Sequence, residues 1–114
     1  MDESFGEALR ELRRSRGMSQ RELAEGVGVD FSYISKVEND RLPAPAADTI
    51  VRICDILGFE PDVLLALTKK IPSDVKDMLS GSAAAQQFAR EARAMKLTDG
   101  EWEKLTKGLR RLRD

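Results

Sequence analysis

Phe31, Ser32, Ser35 and Lys36 stand close together, with Asn39 one helical turn beyond Ser35. Hydroxyls donate or accept hydrogen bonds, an ammonium group donates, and an aromatic ring can rest on a methyl group. These are tools for gripping a polar surface. The means of breaking bonds are scarce: the 114 residues include no histidine and one cysteine, Cys54. That removes the commonest general base and both the Ser-His and Cys-His nucleophilic pairings. It also leaves too few ligands for a structural zinc site. No metal and no cofactor are expected. Carboxylates are numerous but alternate with Arg and Lys along helical stretches, the pattern of a solvated face. An enzyme is therefore not expected.

The polar residues need an element to aim them. With Ile34 as the reference at ~100° per residue, Val37 lies ~60° to one side and Glu38 ~40° to the other. Ser32, Ser35, Lys36 and Asn39 fall ~100° to ~200° away. The spacing predicts a helix from Phe31 to Asn39, apolar behind and polar in front, with Asp30 as its N-cap. Before it, Ser19-Gln20-Arg21-Glu22 reads as a capping box opening a short helix that buries Leu23, Ala24 and Val27 and stops at Gly28. Two short helices joined by a tight glycine turn make a helix-turn-helix. Such a pair can set its second helix in the major groove of double-stranded DNA. Phe31, Ser32, Ser35 and Lys36 would then face base edges, Phe31 suiting a thymine methyl group. Gln20 and Arg21, at the start of the earlier helix, and Asn39 and Arg41, beyond the later one, would face phosphates. A merely solvated helix face would have the same pattern, because helix-turn-helix pairs also occur as plain structure.

Glu38 falls on the inner face, where a carboxylate without a cation is costly. Arg13, on a helix predicted from Ser4 to Arg16, is its expected partner in a largely buried ion pair. That first helix places Phe5, Leu9 and Leu12 on one side and stops at Gly17. After Arg41, Leu42-Pro43-Ala44-Pro45 must be extended. A fourth helix is predicted from Ala47 to Leu57, with Ile50, Ile53, Cys54 and Leu57 inward. A fifth runs from Pro61 to Thr68, packed through Val63, Leu64 and Leu67. Cys54 fits a packed structural thiol.

Residues 1–68 thus form one small all-α domain, and residues 69–114 a helical extension. Predicted helices there end near Leu79, span Ala83 to Lys96, and open on a second capping box, Thr98 to Glu101. The last helix carries Trp102, Leu105, Leu109 and Leu112 at spacings of three, four and three, a two-heptad seam. The seam could pack onto the preceding helix within one chain, but an isolated helical hairpin has little core. Pairing with a second copy is therefore expected, with another protein as a further candidate partner of residues 69–114.

Charge is unevenly spread. Residues 1–68 hold 8 Lys/Arg against 13 Asp/Glu, a net of −5, and residues 69–114 hold 11 against 7, a net of +4. An acidic N-terminal part is unusual for a DNA-binding module. Yet Arg10, Arg13, Arg14, Arg16 and Arg21 fall within twelve residues, and local patches set the field a phosphate feels. The longest apolar run, Val63 to Leu67, is far short of the roughly 20 residues needed to span a membrane. The start Met1-Asp2-Glu3-Ser4 is unlike a secretory signal. One cysteine argues against a disulfide scaffold. A cytoplasmic, nucleoid-associated protein is expected.

Leu9-Arg10-Glu11-Leu12-Arg13, Gly17-Met18-Ser19-Gln20-Arg21-Glu22-Leu23-Ala24, Gly28-Val29 and Tyr33-Ile34-Ser35-Lys36-Val37-Glu38-Asn39 resemble the lambda-repressor-like, Cro/CI-type (XRE) helix-turn-helix family. Thr49-Ile50 through Leu57-Gly58 and Pro61-Asp62-Val63-Leu64 continue the match, so the resemblance covers about residues 5–68. It implies a five-helix domain that binds operator DNA as a symmetric dimer. By position it implies base reading by Phe31, Ser32 and Lys36, phosphate contacts from Gln20 and Asn39, and an Arg13–Glu38 ion pair. A repressor on a pseudo-palindromic operator is the function expected. The alternative is an antitoxin or interaction module that keeps the fold and works through a protein partner. Asp40 departs from the family, standing where glycine is common, and must therefore adopt a left-handed conformation.

Overall fold

The computed structural model describes residues 3–114 and, among these, contains helices and no strand. The helices are α1 (Phe5–Ser15), α2 (Gln20–Val27), α3 (Phe31–Glu38), α4 (Ala47–Leu57), α5 (Asp62–Thr68), α6 (Ser73–Ser80), α7 (Ala83–Met95) and α8 (Asp99–Arg110). The chain divides into two compact units, meeting between Ser73 and Asp74.

In the first unit, several helix ends have a local cause. Ser4 accepts from the Glu7 amide to open α1, and the Ser19/Glu22 capping box opens α2. Gly28, at φ 85°, closes α2 in the left-handed region that glycine enters without a Cβ penalty. Asp30 occupies the N-cap position of α3, but its side chain makes no capping hydrogen bond. The Glu38 end of α3 turns through Asp40, at φ 58°. The carboxylate of Asp40 accepts from Ser4 Oγ at 2.9 Å, beside the first turn of α1. Asp40 thus carries the left-handed strain with a polar contact that a glycine could not make.

Leu9, Leu23, Ile34, Val37, Ile50, Ile53, Cys54, Leu57 and Leu64 are almost wholly buried. Large aliphatic side chains of this kind contribute about 1.5–3 kcal/mol each on leaving water. α2 lies against both α3 and α4, and α1 against α3 and α5. α1 and α3 meet at Gly6, where a Cβ would lie 2.6 Å from the carbonyl oxygens of Val37 and Glu38.

The register of α5 differs from the predicted one. Leu64 and Leu65 are buried, whereas Val63 is 70% and Leu67 41% exposed. Pro61 serves as N-cap, so the helix starts at Asp62. The packed face is shifted by one residue, a rotation of ~100°. The first unit also continues past Thr68. Lys70 Nζ donates to the carbonyls of Ala44 and Pro45, at 3.1 and 2.8 Å, and Ser73 bonds the Asp48 carboxylate. These contacts fasten the proline-rich segment.

The second unit is thinly packed. Ser82 caps α7, and the Thr98/Glu101 capping box opens α8. Ala92 is its one buried hydrophobic residue among those described. Phe88, Ala92, Met95, Leu97 and Leu105 line an open groove rimmed by Glu101 and Lys104. Trp102, Leu105, Leu109 and Leu112 are all exposed, the last two by 67% and 74%.

Candidate nucleic-acid interface

α3 is anchored by Ile34, Val37 and Glu38, all at 2% exposure or less. Ser32 and Lys36 are exposed on the opposite side, and Ser35 is half-buried at its margin. Phe31, at the start of the helix, is exposed with Arg21 over its ring. The geometry is a hydrophobic and ionic seat behind a small polar face.

The seat is a network around Glu38. Arg13 Nε and Nη2 donate to the two carboxylate oxygens at 2.7 and 2.8 Å, a bidentate geometry. Gln20 Nε2 donates to Oε1 at 2.9 Å. Burial alone would push the Glu38 carboxyl up. The hydrogen bonds from Arg13 and Gln20, with the charges of Arg13 and Arg10, outweigh it and hold the group below the usual carboxylate range. The third hand of Arg13 reaches the Met18 carbonyl at 2.9 Å, tying in the chain just before α2.

Sequence reasoning missed Arg10. Its Nη2 donates to the Glu38 carbonyl at 3.1 Å and to Asn39 Oδ1 at 2.6 Å, closing the C-terminal end of α3. Arg10 lies three residues before Arg13, on the same helix face, and that spacing was the available signal. Asn39 Nδ2 also donates to the Ser35 carbonyl. Gln20 and Asn39 are therefore held by the protein, each amide nitrogen keeping a second N–H for another acceptor.

The five-arginine cluster does not act as one patch. Arg10 and Arg13 serve Glu38, and Arg16 turns away to the C-terminus of α4. There it donates to the carbonyls of Leu57 and Gly58 at 2.8 and 3.0 Å, stacked 4.2 Å from the centre of the Phe59 ring. Unsatisfied carbonyls at a helix C-terminus attract such a cation. Arg14 and Arg21 remain, lining an open recess with Ser19, Gln20 and Phe31 at the start of α2. The Arg41 side chain is exposed and forms no hydrogen bond or ion pair among the described residues.

Five packed helices with α2 and α3 joined at Gly28, and a polar face on α3, define a helix-turn-helix domain. Residues 4–67 match the family described as "Helix-turn-helix domain", and the chain belongs to that family, in its lambda-repressor-like, Cro/CI-type branch. It is 30% identical over 91 residues to the HTH-type transcriptional regulator RghRB of Bacillus subtilis, covering 77% of this chain and 66% of that one. The HTH-type transcriptional repressor RghR of the same organism is 40% identical over 63 residues, 55% of this chain and 47% of the relative. The chain thus spans between about half and two thirds of those relatives. Among solved structures, SinR, a master regulator for biofilm formation in complex with DNA, matches with a TM-score of 0.50 at 30% identity. That match covers 54% of this chain and 97% of SinR in that structure. A SinR/SinI protein complex matches at TM-score 0.51 and 25% identity, covering 88% of this chain and 97% of the other.

Proposed function

We propose that this chain is a sequence-specific transcriptional repressor that binds a pseudo-palindromic operator as a homodimer. α3 enters the major groove, and occupation of the operator blocks the promoter. The observation that carries the reading is the exposed polar face of α3, set on a buried Ile34–Val37–Glu38 seat. Ser32, Ser35 and Lys36 address base edges. Gln20, Asn39 and Arg41 address phosphates, with Arg14 as a further contact beside Gln20. Binding to DNA in SinR and repression in RghR support the assignment. Two copies would set their α3 helices one DNA turn apart, about 34 Å. No helix is long and apolar enough to cross a membrane among the described residues, and the reading places the protein in the cytoplasm on the nucleoid. Nothing in it calls for catalysis.

The test is a titration against random and selected duplexes at two salt concentrations. Each phosphate contact contributes about −0.9 to the log–log salt slope. Replacing Lys36 should alter sequence preference, and replacing Gln20 should weaken all duplexes alike. A Lys36 variant with the parent's preferences would count against base reading by this helix.

The seam of Trp102, Leu105, Leu109 and Leu112 is the proposed dimer contact, since an apolar stripe this exposed has no core of its own to join. A second reading, an antitoxin or interaction module, is favoured by the −5 charge of residues 1–68 and by the internal engagement of Arg10, Arg13 and Arg16. In that case residues 69–114 receive a different protein; the similar SinR forms a complex with another protein, SinI. Equal weak binding to every duplex would favour it.

A further inference from the structure

We propose, building on the DNA-reading assignment, that Arg21 and Phe31 act as one stacked unit that recognises a guanine beside a thymine in each half-site. Spacing alone groups Arg21 with the phosphate contacts. Its surroundings assign it to bases instead.

Arg21 is exposed on the first turn of α2, and its guanidinium carbon lies 5.0 Å from the centre of the Phe31 ring. Phe31 is the first residue of α3, at the end of the helix that leads into the groove. Arg10, Arg13, Arg16 and Arg52 all donate to oxygen atoms of the protein. Arg21 is exposed and has the ring contact but no hydrogen bond among the described residues, so its five N–H groups are not taken by protein acceptors there. The ring contact restricts where the fork can lie and lowers the entropy lost when it is used. A planar fork fits the O6 and N7 acceptors of guanine in bidentate fashion, and the exposed part of the ring suits the methyl group of an adjacent thymine. A phosphate can take the same fork but carries no base preference, and that difference is what the test reads.

The test uses the full chain. A site is selected from a random duplex pool, and every single-base variant of it is then titrated with the parent, Arg21→Lys and Phe31→Leu. The parent should favour guanine at one position of each half-site by roughly five- to 150-fold, the range of a good bidentate contact. Arg21→Lys keeps the charge, so its salt slope should match the parent's while that guanine preference collapses. Phe31→Leu should retain the neighbouring thymine preference and weaken the guanine preference several-fold. An Arg21→Lys variant with undiminished guanine preference overturns the proposal and leaves the DNA-reading assignment standing. So does a Phe31→Leu variant whose guanine preference is unchanged. A parent that selects no sequence overturns both.

Discussion

Glu38 shows how one residue can organise a surface it does not itself form. Its carboxylate is buried, yet it fixes Arg13 and Gln20, and its carbonyl fixes Arg10. Removing one partner of such a buried pair costs far more than the pair contributes, because the other charge stays buried. Arg13→Ala should therefore lose about 3–5 kcal/mol of stability in denaturant or thermal melts. An unchanged melt would show that Glu38 finds another cation. The pH dependence has a definite sign. The folded carboxyl titrates below its ordinary value of 4.5, so its stabilisation is complete above that value and is lost as pH falls through the lower folded one. Between pH 4.5 and the acid transition, stability should fall more steeply in the parent than in Glu38→Gln. Parallel pH profiles would mean that the network does not hold the proton off.

At the scale of elements, the close crossing of α1 and α3 fixes how α3 is seated on the first unit. Gly6 permits it, since an added Cβ would press on the Val37 and Glu38 carbonyls and, at 2.7 Å, on Asp40 Oδ1. Two of those three atoms are backbone, which cannot swing aside. Gly6→Ala should destabilise the first unit by about 1–3 kcal/mol. It should also weaken DNA binding at temperatures where the variant remains folded, measured by melting and by titration on one selected duplex. A variant with the parent's melting temperature and affinity would mean that the helices part at no cost.

At the scale of the whole molecule, the two units differ in self-sufficiency. The first has a contiguous core of more than a dozen buried apolar side chains, whereas the second has Ala92. Leu105→Asp combined with Leu109→Asp should halve the mass in sedimentation equilibrium if the seam pairs two copies, and reduce affinity for a two-half-site operator more than for one half-site. A double variant that remains dimeric would place the dimer contact elsewhere.

The sequence by itself determined the local structure of the first unit. The capping box at Ser19, stops at Gly28 and Gly58, and the inward set Ile34, Val37 and Glu38 are all written in residue type and 3.6-residue spacing. Those signals act within one turn of helix, so no distant contact is needed to read them. Tertiary structure decided which polar groups are engaged. Arg10, Arg14 and Arg16 carry the same side chain within seven residues, yet the first closes the end of α3, the second lines an open recess, and the third caps α4. The one-residue turn of α5 that buries Leu65 in place of Val63 was settled the same way. A long flexible cation, or an apolar stripe several residues wide, is compatible with several partners. Which partner it takes depends on atoms brought near by segments some 25 to 40 positions away in the chain, and that proximity exists only once the helices have packed.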